Sequence, residues 1–186
     1  MDAAESERLA GFRERWARLF PQRQNMRFDN NVVQNPYCPQ CRFCCGPQEE
    51  ATPFPMALLD SQVSPRTPED FYLLDRHTAC LDQRGCKALG PCGCRLDNTL
   101  RPIACNLFPY VLVNGRLYLY RVCPASMFMD KDDLLALGKE VHDYLASLPE
   151  RDRARISIER AREDLAEKYL DLNLPPLCAD RARAAV

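Results

Sequence analysis

The chain has 186 residues, including 11 Cys, 15 Pro and 7 Gly, with 27% charged and 46% hydrophobic residues and a formal charge of −1. That length points to about one domain, and the near-neutral charge gives no reason to expect a nucleic-acid or anionic-membrane partner. No apolar run approaches the roughly 20 residues of a membrane span, and the acidic start from Met1 to Glu7 lacks the apolar stretch of a secretory signal, so the expectation is a cytoplasmic protein whose abundant cysteines ligate metal rather than form disulfides.

In chain order, Leu9, Phe12, Trp16 and Phe20 recur at helical spacing. With Ser6 as a cap and Pro21 as a stop, they predict an N-terminal helix over residues 1–21. Ten of the eleven cysteines follow between Cys38 and Cys123, in company with five of the seven glycines and most of the prolines. Proline and glycine at this density interrupt long elements, which predicts an irregular cysteine-rich core over 28–128. One β element is readable inside it. Asn114-Gly115 separates Tyr110-Val111-Leu112-Val113 from Arg116-Leu117-Tyr118-Leu119-Tyr120, and Asn-Gly between β-prone runs predicts a hairpin with a type I′ turn. Antiparallel pairing would return Cys123 to the end of the hairpin that Cys105 enters.

Beyond Cys123 the pattern turns helical. Asp130 is a candidate N-cap with Asp133 three residues on, and Leu134, Leu137, Val141, Leu145 and Leu148 share one face before Pro149. A second helix is expected with Ile158, Ala161, Leu165 and Tyr169 inward, ending before Pro175-Pro176. Its arginines, from Arg151 to Arg162, interleave with acids and predict a solvated, ion-paired face rather than an RNA-binding one. Residues 129–175 are thus read as a helical hairpin and 176–186 as a tail. The expected fold class is α+β, a small single domain with an irregular cysteine core, one hairpin, one N-terminal helix and two C-terminal helices.

The cysteines fall into four groups: Cys38-Pro39-Gln40-Cys41-Arg42-Phe43-Cys44-Cys45; Cys86 after Gly85, with Cys80 upstream; Cys92-Gly93-Cys94; and Cys105 with Cys123-Pro124 across the hairpin. Two residues between cysteines let a tight turn aim both sulfurs at one ion while backbone N–H groups point at them. Three cysteines so spaced can occupy three corners of a cubane cluster, and Cys123-Pro124 could supply a remote fourth, as in the ferredoxin pattern. Neighbouring side chains usually point in different directions, so the adjacent pair Cys44-Cys45 suits either two metal centres or one ligand beside a sulfur with another task. Arg42, Arg84, Lys87, Arg95, Arg101 and Arg121 lie near cysteines and would lower thiol pKa values, Arg101 being fixed next to Pro102. His77 and His142 lack ligand spacing to other donors. No HExxH, P-loop, GxSxG or dinucleotide glycine motif occurs.

These motifs resemble the YkgJ-type cysteine-cluster family of zinc- or iron-chelating proteins. Its opening CxxCxxCC signature is met by Cys38, Cys41, Cys44 and Cys45. Its second signature, Cys then Arg-Pro, Cys and Phe-Pro, is met by Cys94, Arg101-Pro102, Cys105 and Phe108-Pro109, with Cys86 ahead of it and Cys123 after it. The likeness covers about residues 38–124. The spacer from Cys94 to Arg101 is a residue longer than the pattern, and Cys92 adds a thiol, so either Cys92 or Cys94 could be the ligand. Cys80 is a further candidate, while Cys178 matches no family position.

The resemblance implies eight ligands (Cys38, Cys41, Cys44, Cys45, Cys86, Cys94, Cys105 and Cys123) around an iron–sulfur cluster of 4Fe-4S type or zinc, with Arg101 beside the cofactor. It leaves the reaction open. Two functions are expected from it: redox or electron-transfer chemistry, alone or within a modifying enzyme, with a redox partner; or a structural zinc module that presents its surface to a protein partner.

Overall fold

The computed structural model describes residues 24–48 and 54–178, together with Glu14, Ala17 and Arg18. The four apolar positions of the expected N-terminal helix, Leu9, Phe12, Trp16 and Phe20, lie outside the described residues. The fold is α+β: short antiparallel ribbons alternate with short helices, and one long helix follows. Among the described residues no helix is long and apolar enough to cross a membrane.

The hairpin forms where the sequence places it. β8 (Tyr110–Val113) pairs antiparallel with β9 (Arg116–Tyr120), and Asn114 and Gly115 both take positive φ, 48° and 76°. Side chains alternate across the strands. Tyr110, Leu112, Leu117 and Leu119 face the principal core, and Val113 and Tyr118 face the other side. The long helix α5 (Lys131–Ser147) covers the first face with Leu134, Leu137, Val141 and Leu145. Burying four such side chains contributes roughly 1.5–3 kcal/mol each. Asp130 stands at the N-cap of α5, but its side chain makes no capping bond; Asp133 instead accepts from Asn25 Nδ2 at 2.9 Å.

The centre is more ordered than expected. Besides the hairpin it holds β1 (Arg27–Asp29) with β2 (Val32–Gln34), a three-stranded sheet of β3 (Phe54–Ala57), β5 (Thr78–Leu81) and β4 (Tyr72–Asp75), and the two-residue pair β6 (Leu89–Gly90) with β7 (Gly93–Cys94). The three-stranded sheet builds a second core of Met56, Leu58, Phe71, Ala79, Leu81 and Ala88. Four short helices punctuate the region: α1 (Cys38–Cys41), α2 (Thr67–Asp70), α3 (Ile103–Leu107) and α4 (Pro124–Phe128). α3 joins the two cores, since Ile103 and Leu107 belong to the first while Ala104 packs against the second.

The C-terminal segment is not the two-helix hairpin that its composition suggests. α6 (Glu150–Ile156) ends early, α7 (Arg162–Lys168) starts afresh, and β10 (Tyr169–Asp171) joins β9 as a sheet edge. The interruption is tertiary in origin. Ile158 N–H donates to Leu112 O at 3.0 Å and Ile158 O accepts from Asn114 N–H at 2.9 Å, while the Asn114 side chain brackets the Arg160 backbone. The open edge of β8 therefore captures residues 157–160 in extended form. Ile158 and Tyr169 are buried as expected, but Ala161 is exposed. Ion pairs do occur on this segment: Arg151 and Arg155 both reach Asp60. Arg153 has a different task, donating to Ala146, Leu148 and Leu177 carbonyls and tying the end of α5 to the tail.

Candidate metal centre

The CxxCxxCC run folds as a single turn of helix, α1, followed by Arg42 in the left-handed region at φ 53°. That reversal lets the Phe43 N–H point back at the Cys41 sulfur, while Cys45 and Gly46 N–H both donate to Arg42 O. The same device recurs twice. The Ala88 and Leu89 N–H groups stand near Cys86 Sγ, and the Ala125 and Ser126 N–H groups near Cys123 Sγ at the start of α4, with Leu89 and Ser126 N–H also donating to the Cys86 and Cys123 carbonyls. Burial is the first cause acting on Cys41, Cys86 and Cys123 and raises all three thiols, and these N–H groups offset part of that rise.

Two glycines bring the separate groups together. At Gly85, φ 75°, an added Cβ would lie 3.0 Å from the Gly46 carbonyl carbon and 3.2 Å from Cys45 O. The adjacent Cys86 N–H donates to that same Cys45 carbonyl at 2.9 Å. At Gly93, φ 99°, a Cβ would lie 3.1 Å from Pro39 Cα. The loops bearing Cys86 and Cys94 thus approach the CxxCxxCC backbone more closely than side chains allow.

All eight cysteines of the expected set are assembled in this region. Cys38 feels Cys123, Cys45 and Cys41; Cys44 feels Cys45, Cys38 and Cys105; Cys86 feels Cys45 and Cys94; and Cys105 feels Cys45, Cys86 and Cys94. Five of them (Cys38, Cys41, Cys44, Cys45 and Cys123) border a small cavity of about 30 Å³ whose rim includes Phe43, half exposed at 52%. Asn35 Nδ2 reaches Cys123 Sγ at 3.9 Å, and Cys105 Sγ lies 3.6 Å from the buried Met56 sulfur. Neither neighbour was marked by the motifs. The ten cysteines from Cys38 to Cys123 form no disulfide. Among the described residues no three Cys, His, Asp or Glu donors stand close enough to one point to hold an ion as placed. The structure gathers the thiols without presenting a finished coordination polyhedron.

Burial and neighbouring thiols raise six of the eight groups. Burial is the first cause for Cys38, pushed up to about 12, and for Cys123, pushed up to about 11, with neighbouring thiols adding to both. Cys105 is raised well above the usual thiol range by burial and then by Cys45, Cys86 and Cys94. Cys38 and Cys105 have solvent-exposed surface, but protein rings both sulfurs closely enough that desolvation is the first cause raising each. Cys44 and Cys45 behave as one pair. The Cys44 thiol donates to Cys45, which raises the former and lowers the latter.

Arg101 is the cation that recurs, acting on Cys38, Cys45 and Cys105. Its Nε donates to Leu96 O at 2.8 Å, and its own carbonyl accepts from Gln62 Nε2. Arg42 borders the cavity itself, whereas three of the other flanking cations are engaged elsewhere. Arg84 and Lys87 lie over the Tyr72 ring at 3.6 and 4.5 Å, Arg84 also pairs with Asp82, and Arg95 pairs with Asp70.

The remaining candidates separate from this group. Cys80 is buried on β5, where its charged neighbours are Asp82 and Arg84. Cys92 is exposed at the tip between β6 and β7, and Cys178 packs at the margin of the principal core. His77 lies 3.4 Å from Asp60 and 3.5 Å from Arg155, and His142 Nε2 is 3.0 Å from Pro175 O; each has a partner away from the thiols. Comparison with protein-family models, curated proteins and solved structures yields no match for this chain.

Proposed function

We propose that this chain is a metal–thiolate protein whose centre is an iron–sulfur cluster held by cysteines of the YkgJ-type pattern, serving electron transfer or a modifying reaction. The observation that carries the reading is the selective gathering of Cys38, Cys41, Cys44, Cys45, Cys86, Cys94, Cys105 and Cys123, with Cys80, Cys92 and Cys178 left outside. The donor set fits such a group. It is all sulfur, it has backbone N–H groups near three of the sulfurs, and it has Arg101 to offset thiolate charge. A bound cluster would supply reversible one-electron chemistry.

The protein's own residues have definable tasks. The reversal at Arg42 orients Cys41 and Cys44, α4 presents Cys123 through its first N–H groups, and Arg101 favours the ionised form of Cys45. Burial and mutual repulsion hold most of these thiols protonated, and a cation would supply the positive charge that releases their protons. Loading should therefore be proton-coupled and should tighten the cysteine core.

Zinc is the second reading, favoured by the cavity. Five thiols border it, and a tetrahedral zinc ion needs only four. A zinc-bound chain would act as a folded module for a protein partner. The experiment is anaerobic purification followed by visible absorption and by iron, zinc and acid-labile sulfide analysis. A coloured protein with sulfide supports the first reading, and a colourless one with stoichiometric zinc supports the second. A protein lacking both metals, and unable to bind either when reconstituted, refutes the proposal.

A further inference from the structure

Eight thiols exceed what one four-coordinate ion can use, and their placement divides them. Cys38, Cys41, Cys44 and Cys123 border the cavity with Cys45, whereas Cys86, Cys94 and Cys105 do not. The two groups also lean on different cores. Cys123 belongs to the core under α5, together with Tyr37 and Ala125, while Cys86 and Cys94 pack against the core of the β3–β5–β4 sheet. Cys45 borders the cavity, but its carbonyl accepts the Cys86 N–H at 2.9 Å, tying it to the loop that carries Cys86. Cys44 and Cys45 meet at this seam, the Cys44 thiol donating to Cys45, and Cys45 is also the neighbour that acts on Cys86 and Cys105.

Resting on the metal–thiolate reading above, we infer that the chain holds two adjacent four-thiolate positions, one of Cys38, Cys41, Cys44 and Cys123 at the cavity, called outer, and one of Cys45, Cys86, Cys94 and Cys105 beside it, called inner. Each position has its own backbone support. Phe43, Ala125 and Ser126 N–H groups serve sulfurs of the outer set, and Ala88 and Leu89 N–H groups serve Cys86 of the inner set. Arg101 lies between them, acting on Cys38 of the outer set and on Cys45 and Cys105 of the inner one. A single cation thus offsets charge that two tetrathiolate sites would otherwise place side by side. Gly85 and Gly93 fix the separation by docking the inner loops against residues 45–47 and against Pro39. The ligand class is a soft or borderline divalent ion in each position, or thiolate-bound iron in the outer one.

Cadmium is the probe, added anaerobically to the reduced full-length chain and followed by ¹¹³Cd NMR and by bound-metal analysis. Two cadmium ions per chain with two resonances in the all-sulfur range are expected. Cys44→Ser and Cys123→Ser should each remove or shift one resonance, and Cys45→Ser and Cys94→Ser the other. Circular dichroism of each variant checks folding, and the wild-type stoichiometry stands whatever the variants do. One cadmium per chain, or a set of ions that every variant removes together, overturns the division while leaving metal binding intact. No tightly bound cadmium overturns the metal–thiolate reading itself.

Discussion

Gly85→Ala tests how the Cys86 loop is seated. Two costs add at this position. Alanine at φ 75° costs about 1–2 kcal/mol relative to glycine. The new Cβ would also meet Gly46 C at 3.0 Å, Pro47 N at 3.1 Å and Cys45 O at 3.2 Å, all backbone atoms that cannot rotate away. Relief requires the 45–47 backbone to shift, and overpacking of this kind typically costs about 1–3 kcal/mol.

The sum is roughly 2–5 kcal/mol, which for a chain of this size lowers the melting temperature by about 4–20 °C. Because the shift also stretches the 2.9 Å bond from Cys86 N–H to Cys45 O, metal affinity should fall along with stability. Gly46→Ala is the control. Its φ is not positive, and its Cβ would meet only Arg42 O at 3.4 Å and Phe43 O at 3.7 Å, so it should lie within about 1 kcal/mol of wild type. Differential scanning fluorimetry and competitive chelator titration of both variants supply the readouts. Equal behaviour of the two variants, or a Gly85→Ala protein indistinguishable from wild type, would refute the argument.

Gly138→Ala probes the junction of α5 with β8 and with Leu172, which follows β10. The added methyl should gain about 1 kcal/mol of helix propensity, yet its Cβ would stand 2.8 Å from Leu172 Cδ1 and 3.1 Å from Tyr110 Cε1, both on buried side chains. A net loss of about 1 kcal/mol is expected in urea unfolding, and a gain would contradict the packing. Asp60→Asn should weaken the acid dependence of stability. The Arg155 hydrogen bond is the first cause holding the Asp60 carboxyl below its ordinary range, with Arg151 and His77 adding to it. A lowered folded pKa means that the contribution is complete above about pH 4 and is lost as pH falls through the folded value. Urea midpoints from pH 7 downward should therefore fall less steeply for Asp60→Asn than for wild type, and parallel profiles would rule out this linkage.

What the sequence discloses follows the range of the forces involved. The β8–β9 hairpin is legible because Asn114-Gly115 carries its own turn chemistry, and α5 because its apolar positions repeat over several turns. The β1–β2 turn carried a comparable signal in Asn30-Asn31, both at positive φ, between strands too short to display alternation. The break between α6 and α7 has no local mark. Glu159, Arg160 and Ala161 are good helix formers, and the open edge of β8 and the Asn114 side chain hold Ile158 and Arg160 in extended form. At the cysteines, spacing discloses which thiols could assemble. It does not disclose their division, which depends on backbone approaches at Gly85 and Gly93 to segments some 40 to 55 residues distant in the chain. Likewise Arg101 was distinguishable from the other arginines by its position before Pro102, whereas the capture of Arg84 and Lys87 by Tyr72 was not.

The most direct measurement is X-ray absorption at the metal edge of the anaerobically purified, full-length protein. The account predicts a first shell made only of sulfur, about four atoms at roughly 2.3 Å, because the gathered donors are thiols and both His77 and His142 are engaged elsewhere. Replacing Cys80, Cys92 or Cys178 should leave that shell unchanged. A shell containing nitrogen or oxygen ligands at roughly 2.0–2.1 Å, or one altered by substitution of those three cysteines, would contradict it.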